Sequence, residues 1–271
     1  MNSSTITVAT YNIHGAIGSD GSYAPERIAA VLAEIDADII ALQEVGARHH
    51  DVDTLTRLQE ATGLHAVAEP PRWRAAGIHG NCVLSRHPIP ECTHIDLTYP
   101  RREARSALDV VIDCDGAPLR VLATHLGLRP AERRAQVHRL LKVLEAETPH
   151  PTLLMGDLNE WFLWGRPLRW LHAHFRATPS PRSFPARAPL LALDRIWVEP
   201  RALLQRLWAH ATPTARAASD HIPVVATIAL PLSPPKLAMS PPVLQPNQQS
   251  ADSVAAGIRA ALASSMPAPP G

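Results

Sequence analysis

Carboxylate, amide and imidazole side chains follow apolar segments at two corresponding places in the sequence. Near the N-terminus, one apolar segment ends at Asn12 and the next ends at Glu44. In the middle of the chain the corresponding positions are His125 and Asp157, with Asn159 two residues later. Hard divalent cations prefer oxygen ligands, and amide and imidazole groups donate hydrogen bonds to phosphate oxygens. We therefore expect these side chains to meet at one edge of the fold, where they suit a metal ion and a phosphate.

Each pair of polar positions is connected by a predicted strand–helix–strand unit. The first unit comprises a strand, an amphipathic helix and a buried strand over 5–12, 25–35 and 38–45. The second unit has the same order over 119–124, 130–147 and 152–157. Apolar residues recur at helical spacing in both helices, and each helix begins at a proline, which suits a first turn. The sequence thus predicts an internal duplication.

The rest of the chain divides into a folded part, residues 1–230, and a segment of different composition. Further helices are predicted over 51–62 and 168–175, and further strands over 65–68, 81–85, 93–97, 106–114, 191–198 and 223–230. The dipeptide Asp115-Gly116 predicts a hairpin. Nine of the 27 prolines lie in residues 231–271, which are therefore predicted to be a disordered tail.

Composition limits the classes of protein to consider. The 271 residues are 46% hydrophobic and carry a net charge of +1, as in ordinary soluble globular proteins. This balance argues against a broad nucleic-acid-binding surface. The three cysteines, Cys82, Cys92 and Cys114, have no metal-site spacing, and their odd number disfavours a disulfide framework. No secretory signal or membrane-spanning apolar run is recognisable, so we expect a cytoplasmic protein.

Six short motifs occur in order along the chain: Tyr11-Asn12-Ile13-His14-Gly15, Leu42-Gln43-Glu44-Val45, Thr124-His125-Leu126, Gly156-Asp157-Leu158-Asn159, Leu193-Asp194-Arg195-Ile196 and Ser219-Asp220-His221. Taken singly, each is better explained as a turn, a loop or a strand end. Together, over about residues 5–230, they resemble the endonuclease/exonuclease/phosphatase superfamily, which includes nucleases, inositol polyphosphate 5-phosphatases and neutral sphingomyelinases. The resemblance implies an α/β fold, a four-layer α/β/β/α sandwich of two mixed sheets with pseudo-twofold internal duplication.

The resemblance also implies a metal site. It makes Glu44 the main ligand of Mg²⁺ or Mn²⁺, supported by Asn12, with Asp220 as the additional ligand. Mg²⁺ keeps several of its waters, so one or two carboxylates suffice. His14 departs from the abasic-site endonuclease branch, which has an acidic metal-site residue at this position. Here an imidazole replaces that acid, and we expect it to contact the metal ligands and not the metal itself.

Catalytic roles for five residues follow from the same resemblance. Asp157 and Asn159 would orient the attacking water and the scissile phosphate, with Asp157 as the candidate general base. His221 would contact the phosphate or move a proton, and Asp194 would hold its imidazole in one tautomer. His125 would donate to a phosphate oxygen or assist the leaving group. Catalysis would then depend mainly on positioning and electrostatics.

Three further residues are candidate phosphate ligands. Asn81 lies in a Gly-Asn-x-x-Leu-Ser segment that matches the superfamily, although a structural amide at a strand end explains it equally well. Arg105 opens a strand and would bind phosphate bidentately. Arg129 and the nearby Arg133 begin a helix whose N-terminus also attracts phosphate. For these two arginines, surface charge against Glu132 is the slightly favoured alternative.

Trp161, Phe162 and Trp164 follow Asn159 closely and either line an apolar rim at the site or form core beneath a loop. Details of the motifs are similar to the sphingomyelinase and lipid-remodelling branch. We therefore expect a Mg²⁺- or Mn²⁺-dependent phosphodiesterase or phosphatase, acting on a phospholipid-like or small phosphate ester. We further expect a monomer, with peripheral membrane or lipid contact left open.

Three other functions remain open at this point. A Mg²⁺-dependent nuclease would require a basic, salt-sensitive binding face, so nucleic acid is a less favoured partner. A non-catalytic binding scaffold of the same fold is disfavoured because Glu44, Asp157, Asn159, Asp220 and His221 are all present. A metal-free hydrolase that uses Ser219 or Ser106 lacks the Gly-x-Ser-x-Gly nucleophile motif.

Overall fold

Helices and strands follow the apolar patterns closely in the computed structural model, which describes residues 3–47, 54–69, 73–74, 77–146 and 148–231. The strands are β1 (Ser3–Asn12), β2 (Ile39–Ala47), β3 (His65–Ala68), β4 (Trp73–Arg74), β5 (Gly77–Ser85), β6 (Glu91–Asp96), β7 (Ser106–Cys114), β8 (Ala117–His125), β9 (Thr152–Asp157), β10 (Asp194–Glu199), β11 (Leu204–Ala209) and β12 (Val224–Pro231). The α-helices are α1 (Pro25–Ile35), α2 (Thr54–Thr62), α3 (Pro130–Leu144), α4 (Arg166–Phe175) and α5 (Pro213–Ala218). Short 3-10 helices lie at His14–Ala16 and Arg201–Leu203.

The strands form two mixed sheets that share one arrangement. The first has the order β11-β12-β1-β2-β5-β3, with β4 paired to β5, and the second has the order β10-β9-β8-β7-β6. In the first sheet, β1 and β2 are parallel and have antiparallel neighbours, β12 and β5. In the second, β8 and β9 are parallel and have antiparallel neighbours, β7 and β10. A helix, α1 or α3, connects each parallel pair, so the predicted duplication is confirmed.

Three apolar clusters define four layers. The central cluster lies between the sheets and includes Val8 and Ile39 from the first sheet and Val121 and Met155 from the second. A second cluster packs α1, α2 and α5 on the outer face of the first sheet, and a third packs α3 and α4 on the outer face of the second. The central strands are buried on both faces, which explains their nearly continuous apolar sequences. The α/β/β/α sandwich is confirmed.

Strand register brings three site residues side by side. His125, at the end of β8, pairs with Asp157 at the end of β9, and Asp157 also pairs with Asp194 at the beginning of β10. Gly156 makes the close approach of β8 and β9 possible at this point. Its φ is 151°, and an added Cβ would lie 1.8 Å from the carbonyl oxygen of Thr124. Only glycine permits so close an approach of the two backbones.

The strand that carries Glu44 differs from its prediction. The sequence places the end of this strand near Glu44, whereas β2 continues to Ala47. Its pairing with β5 shifts between Leu42 and Val45, and Glu44 has a positive φ of 56°. A bulge of this kind re-aims a side chain relative to the normal alternation. Glu44 therefore reaches the edge of the fold from within a strand.

Other predictions were correct to within a few residues or fall outside the described part. Cys114 and Ala117 pair across the Asp115-Gly116 turn, so the hairpin is confirmed. The short β4 and the six-residue α5 are additions, because elements this brief show no periodicity. The fold ends with β12 at Pro231, and the predicted tail lies outside the described residues from 232 onward. Within the described ranges, no helix is long and apolar enough to cross a membrane.

Candidate active site

Asn12 joins the predicted site residues into one network. Its Nδ2 donates to Glu44 Oε1 at 3.2 Å and to Asp157 Oδ2 at 3.1 Å, an orientation that only the amide nitrogen can supply. Its Oδ1 accepts the backbone N–H of His14 at 3.0 Å, and its backbone carbonyl accepts the Ser219 hydroxyl at 2.8 Å. Asn12 thus connects an exposed group around Glu44 with a buried group around Asp157.

The exposed group consists of Glu44, His14 and Asp220. His14 Nδ1 lies 3.6 Å from Glu44 Oε2 and 3.7 Å from Asp220 Oδ1. Burial alone would raise the pKa of Glu44, but His14, His125 and Asn12 outweigh it and hold this pKa well below its ordinary range. The side chain is therefore ionised at neutral pH. Accessible carboxylates gathered around an imidazole form a donor set that fits a divalent cation.

A second set of potential metal ligands is less suited to a cation. Atoms of Asp157, Asp194 and His221 lie within 4.8 Å of one another. His221 Nδ1 and Asp194 Oδ2 already form a hydrogen bond with each other at 2.8 Å. A cation there would have to displace this hydrogen bond, whereas the Glu44 and Asp220 carboxylates are 29% and 41% exposed. The donor chemistry favours Glu44 and Asp220.

His221 lies between two carboxylates. Its Nδ1 contacts Asp194 at 2.8 Å, and its Nε2 lies 3.7 Å from Asp157 Oδ2. Burial alone would lower the pKa of His221, but Asp194 and Asp157 outweigh it and raise this pKa above its ordinary value. The ring then carries both protons, donating Nδ1–H to Asp194 and directing Nε2–H towards Asp157. Asp194 is thus in contact with the ring that it was predicted to orient.

Asp157 is almost fully enclosed, with its side chain 1% exposed. Its Oδ1 accepts the backbone N–H of Asn159 at 2.8 Å, and His125 Nε2 lies 3.5 Å from its Oδ2. Burial raises the pKa of Asp157, Asp194 adds to this rise, and His221 opposes it. A carboxylate with a raised pKa accepts a proton more readily, as a general base must.

The raised pKa leads to a prediction about stability. In EDTA, wild type is expected to lose stability relative to Asp157→Asn as the pH rises from about 4. A group whose pKa is higher in the folded state contributes stability below its unfolded pKa, and this contribution is lost as the pH rises through its folded pKa. Asparagine does not titrate and escapes this loss. Urea unfolding at a series of pH values measures the free energy of unfolding of both proteins. The prediction would be contradicted if the value for wild type minus that for Asp157→Asn stayed constant or rose with pH.

Arg105 contacts an imidazole, although the sequence suggested that it would clamp phosphate. Its guanidinium lies 2.7 Å from His125 Nδ1 and donates to Glu103 at 2.8 Å. The Asn159 amide lies 3.0 Å from the other ring nitrogen, Nε2, and donates to the Leu126 carbonyl. A neutral imidazole accepts at only one nitrogen, and the charged guanidinium is the stronger donor. The guanidinium has no acceptor, so Nδ1 is the accepting nitrogen in this contact, and Nε2 faces Asp157.

Replacing Arg105 is expected to act through His125. We expect Arg105→Ala to lower kcat about 10–100-fold with a smaller change in KM, because the ring loses the partner that fixes its tautomer. The double variant with His125→Asn should then be no slower than His125→Asn alone. Steady-state kinetics of the three variants measure this. A phosphate clamp would instead raise KM, and its loss would add to that of His125.

Two other predicted phosphate ligands are not joined to the network. Asn81 is buried, and its Nδ2 donates to Glu69 Oε1 at 2.7 Å and to the Ser106 carbonyl at 3.0 Å. These contacts match the structural amide that the sequence left open as the alternative to a phosphate ligand. Arg129 is exposed at the beginning of α3, and within the described part of the chain its side chain has no ion pair with the network.

Arg133 corrects both of its interpretations. It is neither surface charge nor a phosphate ligand, because its side chain is 3% exposed and its Nε lies 3.1 Å from Glu160 Oε2. Its NH1 also donates to the backbone carbonyls of Gly127 and Leu128. No pattern in the sequence indicates this buried ion pair, whose partners are 27 residues apart.

The remaining candidates are placed clearly. Ser219 donates to the Asn12 carbonyl, lies 3.4 Å from Asp220 Oδ1 and accepts the backbone N–H of His221 at 3.2 Å, so its hydroxyl is held as a connector. Ser106 is buried. Trp161, Phe162 and Trp164 are exposed, which excludes their interpretation as core aromatics.

Comparison with known proteins agrees with this geometry. The sequence profile of the Endonuclease/Exonuclease/phosphatase family matches residues 9–221. The uncharacterized protein YbhP of Escherichia coli strain K12 is 32% identical over 252 residues, covering 82% of this chain and 96% of YbhP. YbhP of Shigella flexneri matches to the same extent.

Solved structures show the same fold at lower identity. An endonuclease/exonuclease/phosphatase from Beutenbergia cavernae has a TM-score of 0.67 and 23% identity, covering 83% of this chain and 72% of that one. A mannosyl-6-phosphatase from Bacteroides thetaiotaomicron has a TM-score of 0.64 and 19% identity, covering 82% and 98%. With the family profile extending over most of the folded part, the chain belongs to the Endonuclease/Exonuclease/phosphatase family.

Proposed function

We propose that this protein is a Mg²⁺- or Mn²⁺-dependent phosphodiesterase or phosphatase that acts on a phospholipid-like or small phosphate ester. Members of its family are hydrolases of phosphate esters. The observation that carries the proposal is the environment of Asp157, a buried carboxylate with the Nε2 atoms of His125 and His221 at 3.5 and 3.7 Å. This arrangement supports a role for Asp157 as proton acceptor and for the two imidazoles as donors to phosphate oxygens.

The chemistry divides between the two groups of residues. Glu44 and Asp220 would hold the cation, which when bound neutralises phosphate charge. Asp157 accepts the proton of an attacking water that Asn159 helps to orient. His221, kept protonated by Asp194, donates from Nε2 to a phosphate oxygen. As water attacks phosphorus, the P–O bond to the leaving group breaks, and His125 donates from Nε2 to a phosphate oxygen or to the departing oxygen. The site therefore matches developing negative charge with fixed donors, which is the main source of rate in phosphoryl transfer.

A substrate screen tests this function. Purified protein would be assayed with Mg²⁺, with Mn²⁺ and with EDTA on bis(p-nitrophenyl) phosphate, p-nitrophenyl phosphate, phospholipid vesicles and plasmid DNA. We expect turnover of a diester or monoester that stops in EDTA and in Asp157→Ala. DNA cleavage without turnover of any lipid or small ester would overturn the substrate class. Activity that survives EDTA would overturn metal dependence.

The near-neutral charge of the chain supports a small or lipid-like substrate over nucleic acid. A net charge of +1 over 271 residues provides little of the broad positive field that nucleic-acid enzymes use to bind phosphate backbones. Exposed aromatic side chains beside Asn159 support an apolar moiety in the substrate or around it.

A further inference from the structure

Large apolar side chains are concentrated at one place on the surface. Seven such side chains of the described residues are exposed, and four of them are consecutive, at 161–164. We call these four residues the apolar tip. Their exposed fractions are 56% for Trp161, 51% for Phe162, 67% for Leu163 and 74% for Trp164. Single exposed apolar residues are normal, but a contiguous patch of this kind marks an interaction surface.

The tip is held in a defined turn. The backbone N–H of Phe162 donates to Glu160 Oε1 at 3.2 Å, and that of Gly165 donates to the Phe162 carbonyl at 2.8 Å. Gly165 lies against the same carboxylate, because an added Cβ would meet the Glu160 carboxyl carbon at 2.6 Å. Glu160 is in turn fixed by its buried pair with Arg133. A buried ion pair thus stabilises a turn that presents apolar side chains to water.

The tip and the candidate active site share their supports. Asn159, whose amide contacts His125, precedes Trp161 by two residues. Arg133, which fixes Glu160, also holds the carbonyl of Leu128, another exposed apolar residue at 63%. The segments that follow His125 and Asn159 along the chain therefore both carry exposed apolar side chains. A surface that engages the tip lies next to the candidate active site.

Arginines line the cleft beside the tip. Phe162 and Trp164 form part of its wall together with Arg134, Arg166 and Arg169. None of these three arginines takes part in an ion pair among the described residues, and the one acid of the cleft, Glu160, is already paired with Arg133. The cleft therefore carries uncompensated positive charge directly beside apolar side chains.

From this combination we propose that the apolar tip and its arginines dock the protein on the surface of an anionic phospholipid bilayer. Tryptophan side chains favour the membrane–water interface, and neighbouring arginines are attracted to anionic headgroups. Base stacking on nucleic acid fits less well, because Leu163 is among the most exposed side chains of the tip and offers no aromatic face. Docking of this kind would bring the protein to a phospholipid-like substrate at the bilayer, and this link to the substrate rests on the proposed function.

Vesicle binding in EDTA tests docking without requiring turnover. Full-length protein would be sedimented with vesicles of phosphatidylcholine alone and of equal parts phosphatidylcholine and phosphatidylglycerol, while tryptophan fluorescence is recorded. We expect binding to the anionic vesicles with a blue shift. Trp161→Ser with Trp164→Ser should weaken binding at least about tenfold, since roughly 100 Å² or more of apolar surface is lost at each site. Arg166→Gln with Arg169→Gln should weaken binding to anionic vesicles only.

Leu163 and Leu190 provide a matched pair, because both are 67% exposed and only Leu163 belongs to the tip. Leu163→Ser should weaken vesicle binding and Leu190→Ser should not. Circular dichroism confirms that the variants are folded. Equal losses from both leucines, or no vesicle binding by wild type, would overturn the docking proposal.

Two other occupants of the tip would also overturn it. One is a dimer, seen by sedimentation, that dissociates in the Trp161→Ser and Trp164→Ser variant. The other is oligonucleotide binding that this variant abolishes in a protein that ignores vesicles. Turnover of soluble esters without vesicle binding would leave the proposed phosphoesterase function intact, and vesicle binding without any turnover would leave docking intact.

Discussion

Asp157→Asn is expected to lower turnover by about 10²–10⁴-fold while the protein stays folded. Asparagine has the same shape as aspartate and retains an oxygen for the backbone N–H of Asn159, which Asp157 Oδ1 accepts at 2.8 Å. It cannot accept a proton from water. Its amide would also replace the carboxylate towards which His125 and His221 point at 3.5 and 3.7 Å. The variant therefore loses the chemical step and keeps the scaffold.

The measurement is kcat on the best substrate of the screen, together with the urea midpoint of the same samples. A matched control is Asp109→Asn, since Asp109 is half-buried on β7 and pairs with Arg120 at 2.9 and 2.6 Å. We expect this control to lose stability and to keep kcat. If Asp157→Asn retained more than about a tenth of wild-type kcat, Asp157 would not be the general base.

Much of this site was predictable because strand ends are visible in a sequence. The apolar runs before His125 and Asp157 predict two buried strands, and in-register parallel pairing of β8 with β9 brings both residues to one edge. The same reasoning placed Asn12 near Glu44. These predictions depend only on the order of elements and on the period of a strand, which are local properties of the chain.

What the sequence left open depends on side-chain direction across elements. The contact of Arg105 with His125 forms across the β7–β8 hairpin, between residues 20 apart. The pair of Arg133 with Glu160 joins α3 to the segment after β9. Pattern reasoning assigns each residue to an element but not to a partner, so an arginine near a phosphate site is readily taken for a phosphate ligand. The bulge at Glu44 is hidden for the same reason, because it is defined by pairing with β5.

Glu44→Gln is expected to weaken binding of Mn²⁺ or Mg²⁺ by about 10–100-fold and to lower kcat at fixed metal concentration. Glu44 provides an ionised carboxylate, because His14, His125 and Asn12 outweigh its burial and hold its pKa well below the ordinary range. Glutamine would keep an oxygen near Asn12 but would remove the negative charge that attracts a hard cation. The bulge in β2 still aims the side chain outward, so only the charge is changed.

Calorimetric titration with Mn²⁺ and activity against metal concentration together measure this loss. Raising the metal concentration should restore part of the activity of Glu44→Gln, whereas it should restore none in Asp157→Asn. Glu60→Gln, on the exposed face of α2, is the control and should bind metal as wild type does.

Because Asn12 hydrogen-bonds to both Glu44 and Asp157 through one amide, Asn12→Ala should combine both effects, with weaker metal binding and a slower chemical step that added metal does not rescue. Unchanged metal affinity in Glu44→Gln would contradict cation binding by Glu44. It would favour a cation site at the buried set of Asp157, Asp194 and His221 instead.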